Sequence, residues 1–263
     1  MPSNNLNPDR VLIFDIKGPM AHFRKYYTNS SSLSYLFPPR TVVIGLIAGL
    51  LGLPSERHTK EIEDVYYEKF DIKNCLVAVS LRSKIRQIMQ TVNYIRTKSL
   101  SEVDGSSGGT QIPLEILLPE NDYDVTYRVY FYHLDEDIYI ELKGRLEKEK
   151  FVFPPYLGIT EFLASIDYIN EGELSKNLDF RVELGSVCKL NEVELDFSGK
   201  DLQYITQKMP TGFLNDRTPR KPEEYVLEVK GKIMKVKLKD NAACYSVSYS
   251  EDCCGVVENI MFM

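Results

Sequence analysis

Metal-ligand spacing is missing from this chain. Its five cysteines, Cys75, Cys188, Cys244, Cys253 and Cys254, form no CxxC pair, and the adjacent Cys253 and Cys254 have the wrong geometry for a zinc knuckle. The three histidines, His22, His58 and His133, lie far apart with no HxxxH spacing. No resident metal and no cofactor are expected. An odd number of unpaired cysteines predicts reduced thiols and a cytoplasmic protein. Long apolar runs are also lacking. The longest, residues 42–53, is about a dozen residues, whereas a spanning helix needs ~20, so a buried helix and no membrane partner are expected. The first ten residues, MPSNNLNPDR, carry no apolar signal core, which predicts against secretion. GxGxxG and GxSxG are absent, and GSSGG at 105–109 has no Walker lysine after it, so neither a nucleotide cradle nor a hydrolase elbow is expected.

What is present is ordinary for a folded chain: 263 residues, 43% hydrophobic and 27% charged, one large domain or two small ones. The net charge of −6 excludes a globally basic nucleic-acid binder. The distribution says something else. Residues 16–55 contain no Asp or Glu but carry Lys17, Arg24, Lys25 and Arg40. Residues 72–101 are again acid-free and carry Lys73, Arg82, Lys84, Arg86, Arg96 and Lys98. The chain is +3 through Leu118 and −9 beyond it. Solvated faces would explain scattered cations; two long windows without a carboxylate favour a basic functional surface. Arg82, Lys84 and Arg86 recur with period two, which on a strand places them on one face. Such a face needs water, carboxylates or phosphates.

The pattern predicts a strand at 11–16 and a loop at 21–39. A helix follows at 42–51, with Thr41 as N-cap and Gly52 as stop. Strands are predicted at 64–70, 76–86 and 127–132. The four-residue step of Leu134, Ile138, Leu142 and Leu146 predicts a helix ending near Lys148, and a short helix is expected at 159–164. Beyond Tyr168 the chain is strand-rich, with strands at 180–184, 193–197, 225–229, 232–238 and 244–249. The order approximates β-α-β-β-α-β with an insertion, the ferredoxin-like arrangement, which leaves one sheet face under two helices and the other free. The fold class expected is α+β: a ferredoxin-like (RRM-type) domain over 1–168 with an insertion before its second helix, then a β-rich region over 169–263.

Residues 22–30 pack His22, Phe23, Arg24, Lys25, Tyr26, Tyr27, Thr28, Asn29 and Ser30 into one loop. Single-stranded RNA uses this mixture of cations for phosphates, aromatics for splayed bases, and hydroxyls or amides for sugar and base edges. The bland alternative is that Phe23 and one tyrosine anchor the core while Arg24 and Lys25 are solvated. A metal-free RNA-cleaving site needs a base, an acid and a cation, and His22, Tyr27 and Lys25 supply those types. A metal-independent endoribonuclease is thus the alternative to a binding protein. A protein-only interaction module is the third reading.

Beyond composition, GPMAHFRKYYTNSSSLSYLFPPRTVVIGLIAGLLGLP (18–54) closely resembles the N-terminal signature of the CRISPR-associated Cas-five family of the RAMP superfamily. TQIPLEILLPENDYDVTYRVYFY (110–132), FPPYLGITEFLA (153–164) and KMPTGFLNDRTPRKPEEYVLE (208–228) resemble later family segments, and the closest likeness is to the type I-B branch. The resemblance implies a non-catalytic subunit of the Cascade surveillance complex. Such a subunit binds the 5′ tag of the CRISPR guide RNA, caps the backbone-subunit filament, docks the large subunit and meets target DNA only through the complex. It maps the tag-binding loop onto His22 to Asn29 and the turn into the first helix onto Pro39 to Thr41, and it implies that 1–168 is a RAMP domain whose thumb insertion, near 97–110, reaches to the neighbouring backbone subunit. The Lys-His pair of type I-C processing relatives has no counterpart here, so the nuclease role is not carried over. On charge and shape, Lys17, Arg24, Lys25 and Arg40 are expected at tag phosphates. Arg82, Lys84 and Arg86 extend the groove, with Arg96 and Lys98 beyond them. Tyr27 is expected to stack, Asn29 and Asn93 to read base edges, and His22, Thr28 and Thr41 to line the site.

Overall fold

The computed structural model describes residues 6–28, 31–59, 61–96, 99–198, 201–240 and 242–263. Its first half runs β1 (Arg10–Gly18), β2 (Phe23–Arg24), β3 (Ser34–Tyr35), α1 (Arg40–Leu51), α2 (Tyr66–Lys69), β4 (Cys75–Leu81), β5 (Ile85–Ile95), β6 (Gly109–Pro119), β7 (Val125–His133) and α3 (Glu136–Lys148). The second half is β8 (Ser165–Asn177), β9 (Arg181–Leu184), β10 (Cys188–Lys189), β11 (Val193–Leu195), β12 (Tyr204–Pro210), β13 (Pro222–Glu228), β14 (Met234–Leu238), β15 (Cys244–Glu251) and β16 (Cys254–Ile260). It is a mixed α/β chain built on one large curled sheet.

That sheet has nine strands in the order β11-β14-β9-β16-β15-β8-β1-β7-β4. Within it, β4, β7, β1 and β8 are neighbours and every pairing among them is antiparallel. The helices α1 and α3 pack on one face. β1 is apolar on both sides because both sides are covered: Leu12, Phe14 and Ile16 point into the helix-side core, Val11 and Ile13 into a second core. β8 crosses residue 168, pairing with β1 on one edge and β15 on the other, so hydrogen bonding is continuous from the N-terminal into the C-terminal part. β10, β13 and β12 form a separate three-stranded sheet.

The face expected to be free is closed. Val11, Ile13, Ala78 and Tyr130 are fully buried there beneath Val247, Tyr249 and Ile260 of β15 and β16. Crowding at Gly172 shows how tightly this part of the sheet is packed: a Cβ there would stand 2.7 Å from Val247 and 2.9 Å from Ile13. The free edge of β4 is met as well, since Val187 N donates to Val79 O (2.8 Å) and Met263 N to Val77 O (2.9 Å). The expectation of an open face fails because β16 at 254–260 was not anticipated.

Local corrections have local causes. α1 begins at Arg40, not after Thr41, because the Pro39 carbonyl accepts from both Val42 N and Val43 N. Gly52 ends it as expected, at φ 73°. Residues 64–70 are helical rather than a strand, since Phe70 N donates to Tyr66 O within one turn. The 159–164 segment is a turn held by Phe162 N to Ile159 O, and α3 starts at Glu136, capped by Asp135, leaving Leu134 outside it. The single strand expected at 76–86 is two. β4 stops at Leu81, buried Ser83 accepts from Thr126 N at 2.9 Å, and β5 begins at Ile85.

Under the closed face lies a charged network. Arg128, 5% exposed, uses all five of its N–H donors. Two reach Asp15 (2.7 and 2.9 Å), two reach Glu251 (2.7 and 2.6 Å) and one reaches the Tyr249 hydroxyl (2.7 Å). Beside it, Glu258 accepts from Arg82 (2.5 Å), from Tyr249 (3.1 Å) and from Tyr130. Buried charges are tolerated here because each is paired and hydrogen-bonded. The Arg128 hydrogen bonds hold the Glu251 carboxyl below its usual range. Burial alone would raise Glu258, but Arg82 and the two tyrosine hydroxyls outweigh it and hold that carboxyl low as well.

Carboxyls held below their ordinary range in the folded state contribute stability above that range and lose it as pH falls through their folded values. Stability measured by urea unfolding is therefore expected to drop as pH is lowered from about 5 toward 3. Glu258→Gln should flatten part of that slope. An unchanged slope in the variant would contradict the role given to this carboxylate.

Candidate nucleic-acid interface

The loop after β1 is built from the inside out. Ala21 bridges to Leu117 of β6, and Phe23 packs edge-on against Tyr127 with ring centroids 5.6 Å apart. His22 is buried between them. Its Nδ1–H donates to the Glu115 carbonyl (2.7 Å), which leaves Nε2 to accept from the Ser32 hydroxyl (2.8 Å). Burial lowers its pKa, so the ring is neutral with both nitrogens occupied. Gly158 closes the floor: at φ 95°, a Cβ there would meet the His22 carbonyl oxygen at 1.8 Å. His22 is thus a pillar of the loop rather than a surface group, and the base of the alternative cleavage site is not exposed.

The alternation then turns outward. Arg24 is exposed and donates to Thr28 O (3.2 Å); Lys25 is half-buried; Thr28 closes the turn by donating from Oγ1 to Lys25 O (3.0 Å). Tyr26 and Tyr27, 51% and 55% exposed, stand edge to face with centroids 5.2 Å apart. Two aromatics and two cations thus project from one short turn anchored on both sides. Tyr26 was not singled out from the sequence, though it adjoins Tyr27. Asn29 lies outside the described residues.

The other expected site residues divide. Arg86 and Asn93 are exposed on β5, and Arg96 just beyond its end. Lys98 lies outside the described residues. Thr41 is half-buried in the first turn of α1. Lys17 is tied to Asp167 (2.5 Å), Lys84 to Glu120 (2.7 Å) and Arg82 to Glu258. Arg82 and Lys84 lie in the bend between β4 and β5, so they do not share a strand face with Arg86. Arg40 is 1% exposed, donating to Phe70 O and Cys75 O (both 2.9 Å) and to Thr211 O (3.5 Å). It is a buried tie, not an exposed phosphate contact. Among the described residues, Arg24, Lys25, Arg86 and Arg96 make no ion pair, and no group of three or more His, Cys, Asp or Glu is placed to hold a metal. Among the described residues no helix is long and apolar enough to cross a membrane.

Removing the Arg40 guanidinium strands buried carbonyls, at about 1–3 kcal/mol for each group left unpaired. Arg40→Met is expected to lower the urea midpoint by an amount worth about 3 kcal/mol. An unchanged midpoint would contradict this placement.

A comparison of the sequence with curated proteins finds no match. Among solved structures, a CRISPR protein from Archaeoglobus fulgidus is similar over 95% of this chain and 98% of its own, at 13% identity and a TM-score of 0.54. A chain of a CRISPR RNA-guided surveillance complex is similar over 85% of this chain and 91% of its own, at 12% identity and a TM-score of 0.48. The first of these supports a shared fold. The family model described as CRISPR-associated protein (Cas_Cas5) matches residues 11–225, most of the chain and the whole of the loop built above. The protein is a member of that CRISPR-associated family.

Proposed function

We propose that this protein is a non-catalytic subunit of a type I Cascade surveillance complex in antiviral defence, and that the Arg24 to Thr28 turn holds the 5′ tag of the guide RNA. The observation that carries the reading is that turn. It lies in an acid-free segment, its cations are unpaired among the described residues, and its two tyrosines are open to stack. Family membership supports the complex as the setting. Thr41 lies at its inner margin, and the backbone of the turn is oriented by His22 from below. The paired cations Lys17, Arg82 and Lys84 keep the surrounding structure in place.

The strand order β4-β7-β1-β8, with α1 following β1 and α3 following β7, supports reading these elements as the ferredoxin-like core of a 1–168 domain. The β5–β6 hairpin then serves as the thumb, longer than the 97–110 insertion expected from sequence. Residues 169–263 form the β-rich remainder. In this reading the protein caps the backbone filament, contacts the large subunit, meets target DNA through the assembly and resides in the cytoplasm.

Each lost phosphate contact should reduce the slope of log affinity against log salt by about 0.7 for a single strand. Arg24→Ala with Lys25→Ala is expected to flatten the slope for a repeat-derived 5′-tag RNA by about 1.4, and Tyr27→Ala to weaken binding by about 1–3 kcal/mol without changing the slope. Fluorescence anisotropy over a salt series checks both. A double variant with the parental slope would overturn the assignment.

A further inference from the structure

We propose that the outer edge of β5 docks an extended segment of a partner protein, which adds to the β5–β6 hairpin as a third strand. This rests on the proposed reading of the hairpin as the thumb and specifies what it grips.

Hydrogen-bond parity identifies the edge. On β6, Pro113 O accepts from Ser32 N, Glu115 N donates to Ser32 O, and Leu117 exchanges both bonds with Ala21. Pro113, Glu115 and Leu117 therefore aim their main-chain groups away from β5. Their partners across the ladder are Thr91, Met89 and Gln87. Directly opposed residues of an antiparallel pair share this orientation, so Gln87, Met89 and Thr91 aim theirs away from β6, and period two extends the set to Asn93 and Ile95. All five residues are exposed. Apart from a bond from the Gln90 side chain to Thr91 O (3.2 Å), no described residue takes these groups.

Other edges differ: β12, the seven-residue edge of the small sheet, carries Lys208 and ends at Pro210. β4 receives Val187 and Met263, β6 receives Ala21 and Ser32, and β11 is only three residues long. β5 instead pairs without a register break over its eleven residues and has no proline, lysine or carboxylate. Those are the devices that normally keep a long edge from recruiting another strand. Chemistry selects the occupant. The edge alternates N–H and C=O groups, which another polypeptide complements in kind. An RNA backbone presents acceptors at every phosphate and donates only through its 2′-hydroxyls, leaving much of the edge unmet. Arg86 and Arg96 flank the edge without ion pairs among the described residues, so the fitting segment carries Asp or Glu toward its ends. A second copy fits poorly: self-pairing centred on Thr91 sets Arg86 opposite Arg96 at both ends, and like charges directly opposite are unfavourable.

Amide hydrogen exchange tests this on the full chain in three states: alone, with a synthetic 5′-tag RNA, and in the assembly purified from its own cells. In the assembly, the amides of Gln87, Met89, Thr91 and Asn93 are expected to slow by about tenfold or more, while those of Ile88, Gln90 and Val92, already bonded to β6, change little. Thr91→Pro removes an outward N–H and no ladder bond. It should keep the melting temperature and RNA affinity but lose the partner protein, and Thr91→Val should retain it. Unprotected outward amides in the assembly would overturn the proposal. Protection by RNA alone would do so too, as would protection of the isolated chain that rises with concentration. Guide RNA present with the edge bare leaves the tag-binding reading standing and removes this one; a protein-protected edge with no RNA does the reverse.

Discussion

Arg128 fixes how the sheet closes. Its guanidinium joins Asp15 on β1 to Glu251 at the end of β15, two strands separated in the sheet by β8. The tie works only if β15 and β16 swing over the face of β1 and β7, which buries Val11, Ile13, Ala78 and Tyr130. Each buried aliphatic or aromatic side chain is worth about 1.5–3 kcal/mol, so peeling this cover away would cost on the order of 10 kcal/mol. Stacking returns about 1–3 kcal/mol per base. A nucleic acid therefore does not gain the sheet face by displacing the C-terminal strands.

With the face closed, exposed cations and aromatics gather instead in the loop after β1. His22 and Phe23 point inward and are locked by Ser32, Glu115 and Tyr127. Arg24, Tyr26 and Tyr27 are thereby forced outward. The same β6 strand that anchors the loop also forms half of the projecting hairpin. Loop and arm thus share one foundation, and a substitution in β6 would disturb both.

Much of this was legible in the sequence. Residues 11–16, 42–51 and 127–132 carry strong apolar patterns, and Gly52 stops its helix as a glycine at positive φ should. The 22–28 loop was visible as a composition. Two features were not. β16 reads CGVVENI, with exposed positions and a charged residue, because it pairs along its length only with β15, meets β9 at a single position, and buries only part of its length. Without it, the sheet face looks open. Arg40 looked like a surface cation because charge is usually solvated, and nothing local announces that the carbonyls of Phe70, Cys75 and Thr211 converge on it. The period-two pattern of Arg82, Lys84 and Arg86 misled for a related reason. A buried serine at 83 breaks the strand between them, and Glu258, far along the chain, claims the first arginine.

The central claim is that the leading nucleotides of the guide lie on the Arg24 to Thr28 turn and not across the sheet. A cryo-electron microscopy map of the native assembly locates them directly. Density for tag bases against Tyr26 and Tyr27, with phosphates beside Arg24 and Lys25, is the expected result. Tag nucleotides seated elsewhere, with that turn facing empty solvent, would contradict it.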